Sequence, residues 1–414
     1  MFKKLLFSIS SSLCLATLAF AQNTVPTTTQ DWKDVYPLQY YSILAGTDDI
    51  DDLHDKNFGY SHGNMAINMM KSIESANKKK GLNATCFSCK TAAFNDVYKK
   101  YGDEVFLGKP SPKYTAMLKP IDFWSCETCH KDMKQPAQSL GAQIMTPQLF
   151  GKELFGQLSP KAAVCAQCHN NLAPWSDSRI ITGLTALKEH KTAYRYGWDP
   201  DGMIKATFED AMPNGVRFPS AKIYSTSPAS HAKTDKDLDI FVIANGNHAD
   251  AELYMGGVHQ KMNVGCADCH MPILQDRQGN PYRTHNASKS VLNSRASMEY
   301  CLTCHKSDSV KNVRDMVNFT RKAQKDLAGK DQVVADKLDE VFPLLRTAIL
   351  EQKLPAQTLD QARMNYATAA YYKEYVYGNR GATPGKKVAH NPEYAKRYLE
   401  KAADLLDRTK EMLK

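Results

Sequence analysis

The clearest pattern of apolar and polar positions lies in the C-terminal quarter of the chain. Val313, Met316, Val317, Leu327, Val334, Leu338, Val341, Phe342 and Leu345 recur near helical spacing, which puts apolar side chains on one face of an α-helix. Pro343 falls inside that run and is expected to kink or divide the helix, because it has no amide hydrogen to donate. A second helix is expected from Thr358 to Tyr377, with Ala362, Tyr366, Ala369 and Ala370 on its face and Gly378 beyond its end. A third starts at the capping residue Asn391, with Pro392 in its first turn and Ala395, Leu399, Ala402 and Leu406 at helical intervals.

Upstream, the pattern weakens. Residues 22 to about 60 have few periodic features, and turn sequences such as Lys109-Pro110-Ser111-Pro112 and Asp199-Pro200-Asp201-Gly202 punctuate the middle of the chain. At the N-terminus, Lys3 and Lys4 precede an apolar run from Leu5 to Phe20 that closes on Ala19-Phe20-Ala21, the features of a secretory signal with Gln22 as the mature start. An uncleaved anchor is the competing reading, but the apolar run is short and broken by serines, and no small residue precedes Cys14 for lipid attachment. No later stretch approaches the ~20 apolar residues of a membrane span. The expectation is an exported protein of the bacterial periplasm, attached to a membrane only through a partner.

The 414 residues are 43% apolar and 23% charged, as in an ordinary soluble protein, so the cysteines carry the first chemical information. Cys14 lies in the signal, and the other ten form five Cys-x-x-Cys pairs. They read Cys86-Phe-Ser-Cys89-Lys90, Cys126-Glu-Thr-Cys129-His130, Cys165-Ala-Gln-Cys168-His169, Cys266-Ala-Asp-Cys269-His270 and Cys301-Leu-Thr-Cys304-His305. Thiols three positions apart meet the two vinyl groups of one porphyrin, and the next residue points at the iron from the same face. Disulfides or zinc would also use Cys-x-x-Cys, but neither explains four histidines in the following position. Five covalent haem c groups are expected, and these rather than sheets form the core of residues 22–305. Each buried porphyrin supplies hundreds of square ångströms of apolar area at ~25 cal/mol/Å², so the haem-free chain is expected to fold poorly. Each haem with ionised propionates carries about −1 or −2, cancelling most of the formal +9 that would otherwise suggest nucleic acid.

Lys90 stands where the other motifs have histidine and is read as an axial ligand. An amine binds iron only when deprotonated, so this haem is specialised. Twelve histidines are present, and four are proximal, leaving His54, His62, His190, His231, His248, His259, His285 and His390 for the opposite faces.

Five motifs in this order, with lysine in the first, resemble the pentahaem cytochrome c nitrite reductases that form ammonium. The resemblance runs from about His62 to the C-terminus. Its best local match is Asn247-His248, then Tyr254, Gly257 and Val258-His259, then Cys266 to Pro272, with Gly279 and Tyr282 leading to His285. It implies a mainly α, multihaem fold with a haem-packed core and long C-terminal helices, residues 306–414 forming a helical region that makes a homodimer contact. It also implies distal ligands: His259 for the fifth haem, His285 for the second, His390 for the fourth, and His62, with His54 as rival, for the third. His248 resembles the histidine that protonates a bound oxyanion above the Lys90 haem. Nitrite or a similar oxyanion is the implied substrate, with a membrane quinol-oxidising multihaem partner or a soluble cytochrome as electron donor.

The chain departs from that pattern in its pocket. No arginine precedes Arg179 to clamp an anion, and Lys71 or the run Lys78 to Lys80 would supply only a point charge in place of a planar guanidinium. Asn171 and Leu172 stand in place of a glutamate and a catalytic tyrosine, and Asn245-Gly246-Asn247 replaces a Lys-x-Gln. The lost carboxylate argues against a calcium site. An electron carrier without catalysis, or a reductase of hydroxylamine or sulfite, remain the alternatives.

Overall fold

The computed structural model describes residues 32–45, 62, 90–107, 111–119, 125–145, 151–171, 194–211, 231–242, 249–377 and 385–414. The helices include α1 (Pro37–Leu44), α2 (Phe94–Tyr101), α3 (Pro160–Ala166), α4 (Pro200–Ala211), α5 (Asp250–Tyr254), α6 (Cys266–His270), α7 (Arg295–His305), α8 (Val313–Glu351), α9 (Ala356–Tyr377) and α10 (Pro392–Met412). The sheet among these residues is one antiparallel pair, β1 (Ile273–Gln275) and β2 (Pro281–Arg283), with Leu274 opposite Tyr282. Gly279, at φ +85°, supplies the left-handed residue of the turn between them.

The three expected C-terminal helices are present and pack as an up-down-up bundle. Leu327, Val334, Leu338, Val341 and Leu345 of α8, Tyr366, Ala369 and Ala370 of α9, and Ala395, Leu399, Ala402 and Leu406 of α10 are all buried in one apolar cluster. Lys330–Glu400 (3.0 Å), Lys337–Asp407 and Lys410–Glu340 (2.8 Å) keep a constant sequence offset, so α8 and α10 run parallel with α9 reversed between them. Asn391 caps α10 by accepting from the Tyr394 amide at 3.2 Å, and Asn312 caps α8 by accepting from Asp315 at 3.1 Å.

Pro343 does not divide α8, which is continuous from Val313 to Glu351. A helical proline costs about 3 kcal/mol. Buried Val341 and Leu345 on either side each contribute about as much by staying in the bundle. The two turn sequences are helix starts instead. Asp199 accepts from the Gly202 amide at 2.7 Å as α4 begins, and Ser111 accepts from Lys113 at 3.4 Å before the short helix Pro112–Thr115. A side chain at 202 would meet the Tyr196 carbonyl at 2.3 Å, so only glycine fits. Asp201 then ties α4 to the bundle, accepting from Tyr372 and Tyr398 (3.0 Å) and pairing with Lys401. Helix α1, in the weakly periodic stretch, was not marked by apolar spacing, since none of its residues is buried.

No described helix is long and apolar enough to cross a membrane. The expected signal segment, residues 1–21, lies outside the described residues.

Inside the bundle Lys373 lies 3.1 Å from Asp331, with side chains only 3% and 6% exposed. Burial raises the Asp331 pKa, with Lys373 opposing it. Lys373→Met strands that carboxylate, and a loss of about 3–5 kcal/mol is expected. The check is the thermal midpoint of the haem-loaded protein, which an inert pair would leave unchanged.

Candidate functional site

Four of the five motifs fall wholly among the described residues, and each makes a helical turn. The His130 amide donates to the Cys126 carbonyl at 3.0 Å and the His169 amide to Cys165 at 2.9 Å, while Cys266 to His270 is α6 itself and Cys301 to His305 ends α7. One turn puts positions i, i+3 and i+4 on one side, which is what two thioether bonds and an axial ligand need. The turns are also fixed to one another. Lys161 of α3 pairs with Asp268 of α6 at 2.6 Å, and Ser297 of α7 donates to the Cys269 carbonyl at 2.8 Å. Arg283 of β2 donates to the carbonyls of Ala267 (2.9 Å) and Met271 (2.7 Å).

Three of these histidines face a second one from elsewhere in the chain. Ring centres are 6.2 Å apart for His130 and His285, 6.5 Å for His270 and His390, and 6.1 Å for His259 and His305. His62 lies near enough to His169 for that ring, after burial, to depress its pKa. A metal–imidazole bond is about 2 Å long, so two imidazoles on opposite sides of one metal have ring centres about 6 Å apart. His231 is elsewhere, exposed and 3.0 Å from Asp339. His54, His190 and His248, with Cys86 and Cys89, lie outside the described residues, as do Lys71, Lys78 to Lys80 and Leu172. Lys90 is described: it is half-buried and precedes Thr91, whose hydroxyl accepts from the Ala93 amide at 3.0 Å as α2 begins.

The inner ring nitrogens are held by oxygen atoms. His130 Nδ1 is 2.8 Å from the Pro136 carbonyl, His259 Nδ1 2.8 Å from Ala389, and His285 Nδ1 3.2 Å from Arg283. His169 Nδ1 is 3.1 Å from the Asp250 carboxylate. Such partners keep the proton on Nδ1 and leave Nε2 as the metal-binding atom. Burial pushes His62, His285 and His390 down to about 4 and lowers His130, His270 and His305, favouring the neutral form that binds metal.

The donor set fits haem better than zinc or disulfides. The eight described cysteines are all free, and no three metal-binding side chains converge among the described residues. Imidazoles opposed across about 6 Å do not make the tetrahedron that zinc needs, yet they complete a metal already held by four porphyrin nitrogens. Apolar side chains that the protein leaves uncovered flank the pairs, as porphyrin faces require: Val258 (58% exposed) beside His259, Ile273 (57%) after His270, and Phe319 (50%), its ring 6.0 Å from His305.

The family model for cytochrome c552 matches residues 59–414. The chain belongs to the cytochrome c552 family. Membership brings covalently bound c-type haem with it. Among curated relatives, the cytochrome c nitrite reductase subunit NrfA of Nitratidesulfovibrio vulgaris (strain Hildenborough) is 25% identical over 346 residues, covering 79% of this chain and 61% of the relative. This cytochrome c552 homologue thus spans about three fifths of that relative's length. Among solved structures, the catalytic subunit of the cytochrome c nitrite reductase of Desulfovibrio desulfuricans, in which two calcium sites are described, superposes with a TM-score of 0.66 at 18% identity. It covers 94% of this chain and 86% of its own. That likeness shows a shared, mostly helical fold.

Sequence reasoning missed the buried acids on α5 of this cytochrome. Asp250 pairs with Lys387 and reaches His169; burial opposes its ionisation, but Lys387, His169 and His390 hold its pKa well below the usual range. Glu252 is fully buried and accepts from Tyr194 (2.6 Å) and from the backbone amide of Asn171 (2.7 Å). Asn171 itself is buried where the resemblance expects a carboxylate. The available signal was two acids in the otherwise uncharged run between His248 and His259.

Burial pushes the Glu252 carboxyl up to about 7. A folded-state pKa above the unfolded one stabilises most at low pH, and that contribution is lost as pH rises towards the folded value. Thermal stability is therefore expected to fall between about pH 4.5 and 7 on account of this group. Glu252→Gln should flatten the decline in midpoints measured across that range; an unchanged slope would show the group is ordinary.

Proposed function

We propose that this cytochrome is a periplasmic reductase, in which four bis-histidine haems feed a fifth, Lys90-ligated haem that reduces nitrite to ammonium with six electrons and eight protons. The observation that carries the reading is the set of histidine pairs, three of them at 6.1–6.5 Å, each joining a motif histidine to one from outside the motifs. The axial pairs on this reading are His130 with His285, His169 with His62, His270 with His390, and His305 with His259. A c-type haem supplies reversible one-electron chemistry, and an open axial position admits a small anion.

The chain's own residues do the rest. Nδ1 contacts to Pro136, Arg283, Ala389 and Asp250 hold the imidazoles in the ligand tautomer and limit movement on electron transfer. Lys90 would hold the iron of this haem through its amine, and His248 would donate protons to the oxyanion. The sequence around His248, from Asn247 to His259, supports that role through its likeness to the nitrite reductases. Electrons come from a multihaem quinol dehydrogenase or a soluble cytochrome.

A second reading is favoured by Asn171 and Leu172 and by the absence of arginine before Arg179. With those groups missing, the open haem would serve hydroxylamine or sulfite, or only pass electrons on. Assay of reduced-viologen oxidation with nitrite, measuring ammonium, separates the readings. Wild-type turnover that falls at least about 10²-fold in His248→Ala is expected. No turnover, with a spectrum of six-coordinate haem alone, would leave an electron carrier.

The protein is also proposed to form a homodimer through α8. Val333 and Leu344 are 48% and 38% exposed and lie about three turns apart on one side of that helix. Light scattering should report a dimer for the parent and a monomer for Val333→Arg; a monomeric parent removes the proposal.

A further inference from the structure

One carboxylate touches the ligands of two centres. Asp250 opens α5, and its Oδ2 lies 3.1 Å from Nδ1 of His169, the histidine of the third motif. Its Oδ1 pairs with Lys387 Nζ and lies 3.8 Å from Nδ1 of His390, the ring opposite His270 of the fourth motif. The His390 Nδ1 has no hydrogen-bond partner among the described residues, so the Asp250 charge is what it faces. The site is built, since the Asp250 and Lys387 side chains are only 15% and 9% exposed. The backbone is fixed on both flanks as well: the Ala251 amide donates to the His169 carbonyl at 3.0 Å, and Asn391 donates to the Met255 carbonyl at 3.2 Å.

We propose that Asp250 is a positioning residue that sets the third and fourth haems to low potential as a linked pair, its charge divided between His169 and His390 and trimmed by Lys387. This rests on the ligand assignment above. A carboxylate facing Nδ1–H makes an imidazole a stronger donor, which favours ferric over ferrous iron. The carboxylate itself is only 15% exposed, which limits solvent screening of its charge on both rings. Lys387 pairs with the oxygen nearer His390, so the effect is larger on the His169 side. Nδ1 of His130, His259 and His285 faces a backbone carbonyl instead, at 2.8, 2.8 and 3.2 Å, so the second and fifth centres do not carry this charge.

The test is a spectroelectrochemical titration of the haem-loaded protein, without nitrite, for the parent, Asp250→Asn and Lys387→Met. Asp250→Asn is expected to raise two of the transitions together, by about a tenfold change in the ferrous-to-ferric ratio at fixed potential, or about 59 mV for one electron. Lys387→Met is expected to lower the same two, because it removes the opposing charge. Unchanged potentials in both variants overturn the proposal, and so does a uniform shift of every transition. If Asp250→Asn fails to take up haem, the Lys387→Met result decides alone. Failure of the ligand assignment shows separately, as an undiminished low-spin signal in His390→Ala.

Discussion

Two imidazoles facing each other with ring centres about 6 Å apart are the constraint on which this fold depends. An apolar core tolerates shifts of side chains, but opposed ligands on one metal fix the distance and direction of two backbone segments at once. On the proposed ligation, His285 is held against His130, and His390 against His270, across long stretches of chain. In the motif region a single helical turn per motif and a short hairpin present such rings, beside an apolar cluster that includes Phe94, Val97, Leu154, Met203, Ile240 and Leu253.

The C-terminal helices serve the same end by more ordinary means. Their buried faces satisfy one another, and the parallel ion pairs between α8 and α10 keep their register. The payload is the segment just before α10. Within five residues, Lys387 neutralises Asp250, the Ala389 carbonyl orients His259, and His390 faces His270. A rigid bundle thereby sets groups belonging to two centres, while Asp250 reaches a third at His169.

Helices α8 to α10 were legible in the sequence because apolar spacing, caps and packing agree there. Pro343 does not divide α8 because a local rule competes with the burial of Val341 and Leu345, which no local rule contains. Asp199-Pro200-Asp201-Gly202 and Lys109-Pro110-Ser111-Pro112 were read as turns, although the same residue types also start helices. The motif residues were legible from covalent chemistry alone. Their histidine partners came from the family resemblance, and the geometry brings His285, His390 and His259 to within 6.1–6.5 Å of a motif histidine. Asp250, Glu252 and Lys387 were not legible, because a buried acid looks like a surface acid until tertiary contacts surround it.

The opposed imidazoles fix the number of iron centres that carry two histidines. Spin quantitation of the fully oxidised protein by electron paramagnetic resonance measures it. Four low-spin ferric centres and one of different ligation are predicted. Fewer than four low-spin bis-histidine centres per chain would contradict the pairing on which the rest is built.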